Sequence, residues 1–517
     1  MPNICLFKAF VYDIINLEVV NTSLKREIVM ANKSKSIENI DKKLLKEQKA
    51  NLKDQKRRES QEKKSRTKEQ KLEMKRLKKA QRKQRKQEHF KEKVKKNLHS
   101  DWFKLDNAAI IYPSIKEENW TFVFRISAVL KESVKPELLQ QSVCDTMPRF
   151  PTFNVGLKQG IFWNYFEEKA TFPKVKKESK FPCHNFDIFS SKEHIVRVLY
   201  YNNRISVECF HGIADGRSAM KFFNSLLRRY FILSGTKIES EEGCLSTLDK
   251  PRKEEAEDAF AIYSTKGKKS AHGEEKAFRL TGTEEEFGVV NATMGTMSVA
   301  KVKEIAKNNN CSLTEFLVST LAFCIWKKNK NHKRPIKISV PIDLRAYFET
   351  ETLRNFSGYI NVAIPQKNGD YTLEEIIEIV KQELKRVDKE YLTAFINSNV
   401  AMQKNFFIKL VPLFLKNFFI KMFFKAWGEA YQTINVSNLG KVAVPPEFEE
   451  KVEKYTVNLG RPKYNSKTVG LVSFGDKLVW TFSSKVKECD LEQVFFSELS
   501  KMGIEILIES NRRDLYA

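Results

Sequence analysis

Two stretches of this 517-residue chain repeat one another, and that repeat constrains the fold more than any other feature. The run Arg204-Ile205-Ser206-Val207-Glu208-Cys209-Phe210-His211 is echoed by Lys477-Leu478-Val479-Trp480-Thr481-Phe482-Ser483-Ser484, an offset of 273 residues. Each copy follows a turn, Tyr201-Asn202-Asn203 in the first and Phe474-Gly475-Asp476 in the second. At the same offset Phe222-Phe223 matches Phe495-Phe496 and Leu226 matches Leu499. A strand that ends in a loop and then a helix is therefore built twice. Two copies of one unit are expected to pack with a pseudo-twofold relation and a cleft between them. Only the first copy carries a histidine at the strand end; the second has Ser484 there, so one armed site per chain is expected.

Around the repeat the pattern is mixed. Trp120 to Ile126 alternates as a strand does, Pro136 to Met147 reads as a helix, and Ile195 to Tyr200 reads as the strand before the first repeat. A charged, irregular crossover runs from Glu239 to about Phe287. Beyond it, a helix over Ser298 to Lys307 precedes Ser312-Leu313-Thr314-Glu315, a capping box that introduces the apolar helix Phe316 to Trp326. A strand, Ile336 to Pro341, then leads to Asp343-Leu344-Arg345. This grammar predicts an α/β fold of α+β two-layer sandwiches with hairpins, not strict βαβ winding. The expected divisions are 1–100, an N-terminal extension and basic arm; 101–275, the half carrying His211; and 276–517, the half carrying Arg345 and Ser437.

Charge separates the arm from the rest. The formal net charge is +26, but residues 31–100 hold 27 Lys and Arg against 10 Asp and Glu, a net of +17. The basicity thus belongs mainly to one low-complexity segment, with runs such as Lys75-Arg76-Leu77-Lys78-Lys79. It reads either as a solvated tail or as a contact for RNA, the ribosome or an anionic membrane, since clustered Lys and Arg attract polyanions. Residues 1–29 read as a weak anchor or as an extension upstream of a start at Met30. No run reaches the roughly 18 uninterrupted apolar residues of a spanning helix. Eight scattered cysteines without a CxxC pair argue against a disulfide framework or a zinc site, so no metal is expected and the compartment is read as reducing and cytoplasmic, with peripheral membrane attachment left open.

The chemistry centres on Cys209 to Arg217, where His211 is followed by Ile213, Ala214, Asp215 and Gly216. A strand delivers an imidazole to a tight turn, and a helix pattern starts at once. A buried Asp215 can pair with an arginine and lock the loop that aims the imidazole; Arg345, at a strand end, is the expected partner. Val436-Ser437-Asn438-Leu439-Gly440 ends a second strand pattern with a hydroxyl and a glycine turn, and a hydroxyl there can donate to a developing oxyanion. There is no GxSxG, P-loop, GxGxxG behind a strand or HExxH in the chain.

The His211–Gly216 segment resembles the His-His-x-x-x-Asp-Gly motif of the chloramphenicol acetyltransferase-like, CoA-dependent acyltransferase superfamily, with Phe210 in place of the first histidine. The resemblance extends over Trp102–Ala109, Arg149-Phe150-Pro151, Val340–Arg345, Leu353-Arg354-Asn355-Phe356 and Ser437–Gly440, and is nearest to the bacterial alcohol O-acetyltransferase-like branch, which is related to condensation domains. It implies two acetyltransferase-like halves with a tunnel between them. His211 would be the general base and Ser437 the oxyanion donor. Asp215, Gly216, Arg345, Asn438 and Gly440 would be structural. The implied reaction moves an acyl group, most simply acetyl, from acyl-CoA (acetyl-CoA), a co-substrate and not a bound cofactor, to an alcohol or amine, in a monomeric catalytic unit. The alternatives are a condensation-like enzyme using a carrier-protein thioester, and a non-catalytic scaffold with an RNA- or membrane-binding arm. Residues 405–427, rich in Phe and Lys, read either as helices lining an acyl tunnel or as a basic-aromatic helix lying on an anionic membrane.

Overall fold

The computed structural model describes residues 102–116, 120–267, 275–330, 332–404, 410–427 and 429–512, together with Lys53. The extension over 1–29, nearly all of the basic arm and residues 405–409 lie outside the described residues. Every element below belongs to the unit Lys93–Ala517.

Among the described residues fifteen strands occur in chain order. They are β1 (Trp102–Lys104), β2 (Val123–Leu130), β3 (Val155–Gln159), β4 (Asn164–Glu168), β5 (Lys176–Lys177), β6 (Val196–Tyr201), β7 (Arg204–Phe210) and β8 (Asn291–Ser298). The remainder are β9 (Ile336–Asp343), β10 (Ser357–Ile364), β11 (Ile434–Lys441), β12 (Val452–Leu459), β13 (Lys467–Phe474), β14 (Lys477–Ser484) and β15 (Leu507–Ser510). The longer helices are α1 (Pro136–Thr146), α2 (Gly216–Leu233), α3 (Val299–Asn308), α4 (Leu313–Lys328), α5 (Leu373–Lys385), α6 (Lys389–Lys404), α7 (Leu413–Trp427) and α8 (Asp490–Lys501).

The strands form three sheets: a five-stranded sheet in the order β12-β2-β7-β6-β5, a seven-stranded sheet in the order β10-β9-β11-β13-β14-β8-β15, and a small sheet β1-β4-β3. The expected α/β sandwich architecture is the one found. Helices α1 and α2 bury their apolar faces in the core shared with the five-stranded sheet, through Leu139, Val143, Phe222, Phe223, Leu226 and Leu227. Helix α4 is apolar nearly all round and is buried accordingly, between the seven-stranded sheet and its neighbours α5 and α8. Its start is closed by the reciprocal pair Ser312 and Glu315: Glu315 N donates to Ser312 Oγ at 3.2 Å, and Ser312 N to Glu315 Oε2 at 2.7 Å.

The repeat is structural. Hairpin β6–β7 followed by α2 corresponds to hairpin β13–β14 followed by α8. Both hairpin turns place one residue in the left-handed region, Asn202 at φ 50° and Gly475 at φ 54°, and these two positions are themselves 273 residues apart. Asn and Gly are the residues that tolerate this conformation best. The matched Phe222-Phe223 and Phe495-Phe496 pairs are buried in the two main cores.

One connection crosses the division between the halves. Strand β12, from the C-terminal half, leaves the seven-stranded sheet and pairs antiparallel with β2, with Tyr455 opposite Ala128 and Val457 opposite Ile126. The five-stranded sheet is therefore complete only with a strand from the second half. Its other face holds a buried ion network: Glu208 of β7 accepts from Arg125 Nη2 at 2.8 Å, from Arg197 Nη1 at 3.1 Å and from the Cys183 N–H at 2.6 Å. Burial alone would raise the Glu208 carboxyl, but the two guanidinium charges outweigh it and hold the group below its ordinary value.

Candidate active site

Strand β7 does not stop at its last ladder residue. Phe210 N donates to Ile195 O, and His211 N donates to Phe122 O at 2.8 Å, so the histidine backbone is still held by the sheet edge. The chain then turns, with Ile213 N returning to Phe210 O at 3.1 Å. Glycine is required at 212, because a Cβ there would lie 2.4 Å from Phe210 Cε1. Phe210, which stands where the related motif has its first histidine, is buried and folds its ring under this turn.

The His211 ring is half-buried between two aromatic rings. Tyr112 stacks on it at 5.4 Å and 26°, and Phe124 meets it edge-on at 5.2 Å. Its Nδ1 is buried and has no hydrogen-bond partner among the described residues. A neutral ring protonated at Nδ1 would present a basic lone pair at Nε2. Burial, then the charges of Asp106 and Asp215, push the neighbouring Tyr112 phenol well above its ordinary value, so that it stays neutral.

Asp215 is the N-cap of α2 and accepts from Ser218 N at 3.0 Å. Its other oxygen accepts from Arg345 Nη1 at 2.8 Å and from Phe356 N at 2.8 Å. Burial works to raise this carboxyl, but the Arg345 charge and the two N–H donors prevail and hold it below the usual carboxylate range. Arg345 lies in the short turn Leu344–Ala346 that follows β9. It also reaches Asp343 Oδ1 at 3.0 Å, Ser218 Oγ at 2.9 Å, and the carbonyls of Thr352 (3.0 Å) and Arg354 (2.7 Å). One guanidinium thus ties the start of α2 to the loop after β9.

That loop holds two residues to which sequence reasoning assigned no role. Asn355 Nδ2 donates at 3.3 Å both to Gly212 O, one residue beyond the histidine, and to Asp106 Oδ2. Arg354 lies 3.5 Å from the same Asp106 oxygen. Tyr112 and Phe124 were likewise missed as neighbours of the imidazole; nothing in their spacing marks them. Arg149, by contrast, sits in a stretch singled out from sequence, and it makes a buried two-pronged pair with Glu255 of the crossover at 2.6 and 2.7 Å.

Ser437 lies within β11, in register with Gly470 of β13, and is half-buried. The strand does not end at Gly440, as its pattern suggested; it runs to Lys441 with an irregularity between Asn438 and Lys441. Gly440 sits at φ 72° and donates its N–H to Asn438 Oδ1 at 2.8 Å, while Asn438 Nδ2 donates to Thr314 Oγ1 at 3.0 Å. Leu439 packs directly on Gly216, where a Cβ would lie 2.4 Å from Leu439 Cδ2. Gly216 is the first residue of α2, so β11 and the histidine loop meet there.

The second copy of the strand-loop-helix unit is filled by structure. Ser484, at the position matching His211, is buried, with its hydroxyl bonded to the N–H and C=O of Val486. Beside it, Lys467 and Glu492 form a buried ion pair at 2.8 Å. Among the described residues no group of three or more His, Cys, Asp or Glu side chains could hold a metal ion.

No protein-family model and no curated protein sequence matches the chain. Solved structures do. Polyketide synthase associated protein 5 of Mycobacterium tuberculosis is similar at 13% identity and a TM-score of 0.50, covering 77% of this chain and 97% of its own. The trichothecene 15-O-acetyltransferase of Fusarium sporotrichioides matches at 10% identity and a TM-score of 0.50, over 78% and 95% of the two chains. The first condensation domain of the calcium-dependent antibiotic synthetase, with a substrate analogue, matches at 11% identity and a TM-score of 0.51, over 78% and 96%. The chain has the two-lobed fold of condensation domains and their acetyltransferase relatives.

Proposed function

We propose that the protein is an acyltransferase in which His211 is the general base, moving an acyl group, most simply acetyl, from a CoA thioester to an alcohol or amine. One observation carries this reading: the half-buried imidazole, with its Nδ1 turned into the protein, sits on a loop fixed by Arg345–Asp215 and by Asn355. The fold similarity to an acetyltransferase and to condensation domains supports it.

In this reading Nε2 takes the proton from the acceptor hydroxyl or amine as its oxygen or nitrogen bonds to the thioester carbonyl carbon. The carbonyl becomes a tetrahedral oxyanion, to which the Ser437 hydroxyl donates. Collapse re-forms the carbonyl, breaks the carbon–sulfur bond and releases the thiolate, which receives the proton from the imidazolium. Atoms and charge balance without a covalent intermediate on the enzyme. Asp215 and Arg345 act by holding the loop, not by touching the reacting atoms.

The test is thiol release from acetyl-CoA in the presence of a panel of alcohols and amines. His211→Ala should reduce turnover by about 10²–10⁴-fold. The fold should survive, because Nδ1 makes no hydrogen bond that the substitution would remove. Undiminished transfer by that variant would overturn the assignment. The similarity to condensation domains favours a second donor, an acyl group on a carrier protein; that reading predicts faster transfer from the acyl-carrier than from acyl-CoA, with the same dependence on His211.

A further inference from the structure

The expectation that the Phe-rich segment 405–427 lines an acyl tunnel does not hold for Phe414, Phe418, Phe419 and Met422, which are exposed. Lys416 turns inward instead, with its Nζ 3.4 Å from the centre of the Trp163 ring. What lies beside Ser437 is polar. The seven-stranded sheet has two faces, and alternation along each strand separates them. Ile434 and Val436 of β11, Ile338 of β9, Val362 of β10 and Val469 of β13 point into the second core. The residues between them point the other way. Register aligns four of these in one row across four strands: Asn361 opposite Ser339, Ser339 opposite Asn435, and Asn435 opposite Thr468. Ser437, two residues along β11 from Asn435, shares their face.

The row is not satisfied from within. Ser339 and Thr468 are buried, and Asn435 and Asn361 are half-buried. Asn435 Oδ1 and Thr468 Oγ1 have no hydrogen-bond partner among the described residues. Buried polar atoms are nearly always bonded, so two orphans side by side mark a place where a bound molecule supplies the partner. Beyond Thr468 the row is closed. There Ser483 stands opposite Thr468, and its hydroxyl accepts from Leu459 N of β12 at 3.3 Å. Strand β12 packs on this same face, where a Cβ on Gly470 would lie 2.5 Å from Val457 O. Toward the edge strand β10 the face opens: Tyr359, two residues from Asn361 on the same side, is 49% exposed.

We propose that this row holds the acceptor of the transfer reaction, and that the acceptor is a polyhydroxylated molecule, a sugar or another polyol, and not a hydrocarbon alcohol. The proposal rests on the acyl-transfer reading, in which Ser437 marks the reacting carbonyl. At about 4.8 Å between strands the row spans roughly 15 Å, and Ser437 lies about 7 Å along β11 from Asn435. A molecule whose reacting hydroxyl sits at Ser437 thus has its other hydroxyls over two amides and two hydroxyls, groups that both donate and accept. A hydrocarbon chain there would leave the orphans unbonded and strip water from Asn361 and Asn435 without replacing it. The pantetheine arm of a CoA donor is one chain wide and would use a line of such groups. A patch four strands wide, deepened by Ser437 and Tyr359, suits the broader outline of a polyol ring.

The experiment compares acetyl transfer by the full chain from acetyl-CoA to methyl glucoside, myo-inositol and 1-heptanol. At least one of the two polyols should exceed 1-heptanol in kcat/KM. Thr468→Val, which exchanges one hydroxyl for a methyl, should lower that preference about tenfold through the acceptor KM, with the KM for acetyl-CoA unmoved. Adding Asn435→Leu should lower it further. The melting temperature of either variant should hold or rise, because the oxygens removed bond to nothing in the fold; a merely structural role would lower it. Binding is read apart from chemistry, as the rise in melting temperature that each polyol gives. That rise should be the same in His211→Ala as in the parent, and smaller in the Asn435/Thr468 variant. The proposal is overturned if 1-heptanol is preferred to both polyols, or if neither polyol raises the melting temperature of the parent more than that of the variant. It is equally overturned if the variants raise the KM for acetyl-CoA instead, which would assign the row to the donor's arm. Transfer to a polyol that survives His211→Ala undiminished would overturn the general base alone.

Discussion

Asp215 and Arg345 are 130 residues apart in the chain and 2.8 Å apart in the structure, and this contact joins the loop that carries His211 to the loop after β9. Both side chains are nearly buried, at 5% and 9% exposure. Removing one partner leaves the other charge buried and uncompensated, which typically costs about 3–5 kcal/mol. Asp215→Asn and Arg345→Gln should each lower stability in urea by that order, and turnover with it. The double variant should cost clearly less than the sum of the singles, because each single already forfeits the shared interaction. Strict additivity in the denaturation cycle, or a rate defect with no loss of stability, would contradict the structural role. The pH dependence has a definite sign. The folded Asp215 carboxyl titrates below its ordinary value, so its contribution is present above about pH 4 and is lost as pH falls through the depressed value.

Much of this architecture was legible because local pattern and repeat agreed. The strand to His211, the helix after Gly216 and the capping box at Ser312 are local signals, and the 273-residue offset ties the two copies down to their left-handed turn residues, Asn202 and Gly475. What could not be read depends on contacts between distant segments. No periodicity announces that β12 abandons its own sheet to pair with β2. Nor does any local feature say that Asn355 will reach Gly212 O, or that Tyr112 will lie flat on the imidazole. The Phe and Lys alternation of α7 was plain, but spacing alone cannot say which face turns to solvent; the burial of Lys416 over Trp163 decides it. The irregularity between Asn438 and Lys441 falls where Gly440 takes a left-handed backbone and bonds back to Asn438 Oδ1.

Asp258 offers a second pH signature, opposite in sign to that of Asp215. It caps the short helix Ala259–Tyr263, with Oδ1 accepting from Ala261 N at 3.3 Å. Burial, with the charge of Asp106 added, pushes its carboxyl up to about 6 against the pull of Arg354. A carboxyl raised on folding stabilises the fold most below its unfolded value of about 4, and that contribution is lost as pH rises through about 6. Asp258→Asn keeps a good capping side chain and removes the titration. The variant should therefore come closest to the parent below pH 4 and exceed it by about 3 kcal/mol at pH 8. Denaturation at the two pH values checks this, and a stability difference that does not change with pH would show that Asp258 does not titrate in this window.

Gly216 and Leu439 give the most direct handle on whether β11 serves the histidine loop. On helix propensity alone Gly216→Ala, at the first position of α2, should be neutral or stabilising by up to about 1 kcal/mol. The structure argues otherwise, since the new methyl would sit 2.4 Å from Leu439 Cδ2. The end of the leucine side chain can turn aside, while the backbone beside it is held: Gly440 N is bonded to Asn438 Oδ1, and Asn438 is anchored to Thr314. The methyl must therefore displace the end of the leucine or shift the strand that carries Ser437, at a cost of about 1–2 kcal/mol. If the Ser437 hydroxyl serves the oxyanion, a shift of that strand should also lower turnover, by roughly tenfold with little change in KM. Leu439→Ala in the Gly216→Ala background removes the clash and should restore much of the rate, although Leu439→Ala alone lowers stability. Rescue of the rate by the second substitution is the decisive readout. A Gly216→Ala variant as fast as the parent would mean that the position of β11 does not govern the chemistry at His211.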